Sequence, residues 1–115
     1  FTVEPASTVA DSICVDVPRN GLHALAQIKA FDGELISVSD AEIIQAQVRL
    51  SATSGLFTEP AGAAAFAGFL KISSRLEANA TVVVLATGNG LKDSASAQLG
   101  IKMPERLITS VHDIL

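Results

Sequence analysis

"TVVVLATGNG", Thr81 to Gly90, decides how the rest of the chain is read. The run up to Ala86 has no polar alternation, the pattern of a central parallel strand covered on both faces. Glycines directly after such a run predict a loop that lets a ligand approach the backbone. In open α/β sheets, ligands bind beyond the carboxyl ends of the strands. The stretch therefore predicts an α/β fold, a small parallel sheet flanked by helices, with a site at Thr87-Gly88-Asn89-Gly90.

Working outward, the other segments fit that alternation. "ICVDVP" is a short strand candidate closed by Pro18. "NGLHALAQIKAF" reads as a helix from about Asn20 to Phe31, with Leu22, Leu25, Ala26 and Ile28 as its apolar stripe and Gly33 as its stop. "ELISVS" is a second strand candidate. Ser39 and Glu42 then form an S-x-x-E capping box at a helix start. That helix is expected to run to about Thr53, with Ala41, Ile44 and Val48 inward and Gly55 ending it. "LFTE" is short and extended. Pro60 suits the first turn of a third helix, "PAGAAAFAGFLKIS", apolar nearly all round and so expected to be buried on most sides. A polar stretch runs to Lys102, and "PERLITSVHDIL" has helical spacing at Leu107, Ile108, Val111, Ile114 and Leu115. No internal repeat is visible. Alternating strands and helices on short connections predict a parallel sheet, with Thr58-Glu59 on the same edge as the glycine loop.

Composition narrows the function. At 115 residues the chain is one domain. A net charge of −4, scattered Lys and Arg, and no Tyr or Trp argue against nucleic-acid binding. The lone Cys14 excludes an intrachain disulfide and a multi-cysteine metal site, and reads as a small core residue. Asp11, Asp16 and Asp32 are isolated and form no metal-ligand pattern. The longest apolar stretch, Pro60 to Leu70, is too short to span a bilayer, and no signal peptide is visible, so a cytoplasmic protein is expected. The chain opens at Phe1 without a methionine, and it is 49% hydrophobic before its 8 glycines are counted. Typical domains reach roughly 45–50% with glycine included. The expectation is a piece of a larger protein whose apolar surface awaits a partner, either the remainder of its parent chain or another copy in a homo-oligomer.

Candidate chemistry is sparse. "GNG" lacks both the phosphate-loop and the full dinucleotide fingerprints. Thr87 either donates to a ligand nitrogen or caps a turn. Glu59 either faces a ligand or opposes the positive end of the following helix dipole. His23 and His112 have no nucleophile or carboxylate partner at recognisable spacing. Lys92 reads as a solvated loop lysine rather than a base.

Four strings, "TVADSICVDVPRNGLHAL", "DGELISVSDAEIIQAQ", "GLFTEPAGAAAFAG" and "ATGNGLKD", resemble in order and spacing the C-terminal part of the threonine synthase family. That family belongs to the pyridoxal-phosphate enzymes that include threonine dehydratase and the tryptophan synthase β subunit. The resemblance covers roughly Ser7 to Asp93. It implies the C-terminal part of a large cofactor domain, from a lyase that converts O-phosphohomoserine and water to threonine and phosphate. It implies that the Thr87 hydroxyl donates to the pyridine nitrogen of the cofactor, that Gly88 and Gly90 leave room beside the ring, and that Glu59 lies near the ring. Asn89 departs from the histidine common in threonine synthases, which leaves a sister dehydratase open as the parent. The lysine that carries the cofactor and the loop that holds its phosphate precede the matched region in such enzymes, and Lys29, Lys71, Lys92 and Lys102 sit in no matching motif. The isolated chain is therefore expected to be inactive without its N-terminal part. A noncatalytic partner-binding module is the rival from another class.

Overall fold

A computed structural model describes residues 3–102, 104–105 and 108–113. Four α-helices are present among them: α1 (Gly21–Ala30), α2 (Asp40–Ser54), α3 (Pro60–Ile72) and the short α4 (Ser94–Gln98). Tight 3-10 turns occupy Asp11–Ile13, Ser73–Arg75, Gly90–Asp93 and Val111–Asp113.

The local signals place the helices well. At the start of α2, the Glu42 N–H donates to the Ser39 hydroxyl at 3.3 Å and the Ser39 N–H donates back to Glu42 Oε2 at 2.7 Å, so the capping box is complete. Gly55 ends α2 with φ at 74°, a left-handed position that glycine takes without a Cβ penalty. Pro60 opens α3, where its missing N–H has no intrahelical partner to lose. Helix α1 closes differently from expectation. Asp32 takes the left-handed position (φ 52°), and the Gly33 N–H then reaches back to the Ile28 carbonyl at 2.7 Å.

The core is the seam between α2 and α3. Ile43 and Ala46 of α2 meet Ala63 and Ala67 of α3, with Ala10 closing one end. Alanine at both faces of the seam allows a close helix approach. The inward face of α2 is rotated from the expected one: Ile43, Ile44, Ala46, Gln47 and Leu50 are buried, Val48 is half-buried and Ala41 is exposed. Lys71 ties the end of α3 to the start of α2, donating to the Ser37 carbonyl at 2.9 Å and pairing with Glu42 at 3.0 Å.

The expected parallel sheet is not present among the described residues. The one pairing between extended segments is an isolated antiparallel bridge, Thr58 to Asn89. "ICVDVP", "ELISVS" and "TVVVLA" have no ladder partner among the described residues. Their composition suits strands, but a strand is defined by a neighbour that accepts and donates its backbone bonds. Val83 and Leu85, expected to be covered on both sides, are 81% and 73% exposed. They line one side of an open groove of about 600 Å³, with Ile36, Ala64, Gly68 and Phe69.

The chain is expanded for its length. Its radius of gyration is 17.8 Å, against about 13 Å for a compact domain of this size. Its accessible surface is 8878 Å², against about 5,900 Å² from the usual mass scaling. The expected C-terminal helix from Pro104 falls partly on Arg106, Leu107, Ile114 and Leu115, which lie outside the described residues. Among its described members, Val111–Asp113 form a 3-10 turn. No described helix is long and apolar enough to cross a membrane.

Candidate functional site

The extended link between α2 and α3 and the glycine loop are stapled together. The Glu59 N–H donates to the Gly88 carbonyl and the Gly90 N–H donates to the Phe57 carbonyl, each at 3.0 Å. Helix α2 fixes the link from beneath, where the buried Gln47 amide donates to the Thr58 carbonyl at 2.7 Å. The Gln47 side-chain oxygen and the Thr58 hydroxyl are buried beside this bond without partners. The first turn of α3 lies against the same loop. A Cβ on Gly62 would come within 2.9 Å of the Thr87 carbonyl oxygen, closer than real contacts allow.

Thr58-Glu59 and Thr87-Gly88 are brought together by a two-residue backbone clasp and not, as expected, on a common sheet edge, since no sheet forms among the described residues. Thr87 itself is exposed, and its hydroxyl makes no hydrogen bond among the described residues. That removes the turn-capping reading: the hydroxyl is available to a ligand. Asn89 does cap a turn, its side-chain oxygen accepting from the Leu91 N–H at 2.9 Å.

Glu59 is almost buried. Its side chain is 7% exposed and pairs with Lys92 at 2.8 Å. Its other carboxylate oxygen lies 1.9 Å from where a Cβ on Gly88 would stand, so the missing side chain at 88 makes the room for it. The Lys92 ammonium is held above its ordinary pKa by the hydrogen bond to Glu59, then by that carboxylate's charge, with Asp11 adding to the attraction. Lys92 had read as a solvated lysine, and this pairing is what the sequence reading missed. The signal was present in "GLKD" lying next to "TEPAG" in the fold, not in the chain. Asp93 caps α4 by accepting from the Ser96 N–H at 3.0 Å, and the Ser96 hydrogen bonds hold its carboxyl below the usual range.

The remaining candidates stay apart from this cluster. His23 is exposed on α1 and His112 lies in the Val111–Asp113 turn. Cys14 is half-buried and unpaired. No group of three or more His, Cys, Asp or Glu among the described residues could hold a metal ion.

The family model described as pyridoxal-phosphate dependent enzyme matches residues 1–88, which include Glu59, Thr87 and Gly88. The chain is similar to the threonine synthase of Synechocystis sp., with 46% identity over 86 residues, 75% of this chain and 22% of that protein. It is similar to the threonine synthase of Bacillus sp. at 35% identity, over 96% of this chain and 33% of that protein. The archaeal threonine synthase of Methanocaldococcus jannaschii is 36% identical over 78% of this chain and 23% of its own length. The chain therefore spans between a fifth and a third of these relatives. With the match covering most of its length, this chain belongs to the pyridoxal-phosphate dependent enzyme family.

Proposed function

We propose that the chain is the C-terminal part of a threonine synthase that converts O-phosphohomoserine and water to threonine and phosphate, and that it supplies the pyridine-nitrogen side of the cofactor site. The observation that carries this is the Thr87 hydroxyl, exposed and unpartnered on a loop clasped to Glu59. Similarity to threonine synthases of bacteria and archaea favours that parent over a sister dehydratase.

The residues present fit one edge of pyridoxal phosphate. A neutral hydroxyl suits a pyridine nitrogen left unprotonated, whereas a carboxylate there would hold it protonated. Among the described residues Glu59 is the near-buried carboxylate beside the loop, and its charge is directed to Lys92. Bound in the whole enzyme, the cofactor supplies the electron sink, and the protein tunes it through contacts of this kind. What this chain contributes is orientation: Thr87 sets the ring edge, Gly88 keeps the loop flat against Glu59, and Gly62 lets α3 seat against the loop. Three of the four lysines are already engaged, Lys71 with Glu42, Lys92 with Glu59 and Lys102 with Glu105. The exposed pairs of Lys71 and Lys102 hold a lysine weakly, and the cofactor-carrying lysine and phosphate loop are assigned to the remainder of the parent chain because none of the four lysines sits in a matching motif.

Alone, the chain binds pyridoxal phosphate weakly and turns over no substrate. One hydrogen bond contributes roughly 0.5–1.5 kcal/mol net, and micromolar affinity needs about 8 kcal/mol. The test replaces the matching segment of the Synechocystis threonine synthase with this chain. Phosphate release from O-phosphohomoserine by the hybrid, reduced by Thr87→Val with cofactor still bound, is the expected result. Tight cofactor binding and turnover by the 115-residue chain alone would defeat the reading.

A further inference from the structure

Two separated strings of the sequence meet at one ammonium group. Lys92 comes from "GLKD" and Glu59 from "TEPAG", their charged atoms 2.8 Å apart. Lys92 is 61% exposed, whereas its partner Glu59 is 7% exposed and confined by Gly88. The clasp bonds run through the same residues: Glu59 donates to the Gly88 carbonyl and Gly90 to the Phe57 carbonyl.

We propose that Lys92 is a positioning residue, whose ammonium holds the Glu59 carboxylate against Gly88 and thereby fixes the loop that presents Thr87. The purpose assigned to it rests on the reading of Thr87 as the ring-nitrogen donor. A nearly buried carboxylate is tolerated while it is paired and hydrogen-bonded, and is costly once its partner is removed. With Lys92 removed, Glu59 gains solvation by swinging outward. It cannot do so without leaving its place over Gly88, and its own backbone N–H is one half of the clasp. Loss of the ammonium is therefore expected to appear as opening of the loop. A lysine that only decorates a solvated surface would produce no such opening.

Amide hydrogen exchange on the 115-residue chain tests this without cofactor. Lys92→Met speeds exchange at the Glu59 and Gly90 amides by about tenfold, the weight of one charge-assisted bond in a local opening, while the α2 amides of Ile44 and Ala46 keep their rates. Lys92→Arg, which retains the charge, stays near the parent. Glu59→Gln, which leaves no carboxylate in need of a partner, opens the loop less than Lys92→Met, and adding it to Lys92→Met returns the exchange rates toward the parent. Unchanged exchange at Glu59 and Gly90 in Lys92→Met, or additive effects in the double variant, would overturn the proposal and leave the functional reading standing. A second arm uses the hybrid synthase. There Lys92→Met lowers kcat more than it raises KM, and Lys92→Arg recovers it. A hybrid that binds no pyridoxal phosphate with Lys92 intact would defeat the functional reading, and with it the purpose given to Lys92, whatever the exchange rates show.

Discussion

Helices α2 and α3 bury Ile43, Ala46, Ala63 and Ala67 against one another. Helix α1 carries Leu22 and Leu25 at the same helical spacing and leaves both exposed, with no residue buried along its length. The extended runs resemble α1 in this respect: Leu35, Val83 and Leu85 face solvent. The difference is not in local pattern, since all these segments have an apolar side. It lies in whether the chain supplies the opposing surface. The α2–α3 pair and its clasp to the glycine loop are complete within these residues. Much of the rest leaves its apolar side exposed, although Val38 packs against the seam and Ile36 lies beside Gly68. The chain spans between a fifth and a third of these relatives' length, and we propose that the remainder of a longer parent supplies the missing surface.

The largest expected effect tests the packed region. Ala63 is fully buried at the seam, while Ala65, two residues on in the same helix, is exposed. Ala63→Asp places an unpaired carboxylate in the buried seam, at a cost of more than about 4 kcal/mol. Total stabilities of small domains are of order 5–15 kcal/mol, so the helical circular-dichroism signal is expected to collapse. Ala65→Asp, with the same propensity change but open to water, is expected to keep it. Equal losses from the two would show that the seam is no better packed than the rest and would break the comparison.

A pH measurement sharpens it. Glu42 sits at the α2–α3 junction, and its carboxyl is lowered from 4.5 to about 2, first by the Ser39 backbone N–H, then by the Lys71 ammonium and the Ser39 hydroxyl. A folded-state pKa below the unfolded one gives stability that is full above pH 4.5 and is lost as pH falls through to about 2. Denaturant midpoints followed down this window should converge for the parent chain and Glu42→Gln as acid removes the difference. Glu34 supplies the contrast. Its pair with Arg75, at 3.1 Å, is well exposed on both sides, and such pairs contribute little. Glu34→Gln is expected to track the parent at every pH. A gap between parent and Glu42→Gln that persists unchanged into acid would show that the capping carboxylate is not the titrating group.

What the sequence revealed follows the same division. The limits of α2 and α3 were legible because the capping box, Gly55 and Pro60 act within a few residues. Thr87, Gly88 and Glu59 were legible as a set because the ordered strings carried the resemblance, and the clasp brings them together. The sheet was not recoverable from "TVVVLA", because composition states what a segment tolerates and pairing depends on residues far away. Lys92 was missed for a related reason. A lone lysine in a polar loop has no signature until the fold brings it to Glu59.

A small effect on stability is expected at Leu22, the most direct probe of the unpartnered region. Leu22 is 71% exposed. It retains less than a third of the roughly 1.5–3 kcal/mol that full burial of a leucine contributes, so Leu22→Ser costs under about 1 kcal/mol of folding free energy. The same side chain remains available to a second copy. Exposed apolar patches with small net charge favour self-contact, and the chain is proposed to associate as its concentration rises. Leu22→Ser should then weaken association in sedimentation and reduce the fluorescence of a bound hydrophobic dye, with the unfolding midpoint nearly unchanged. A strictly monomeric parent that binds no dye would remove the proposal of self-association. A large drop in midpoint would show that α1 is packed after all and that the two regions do not differ as described.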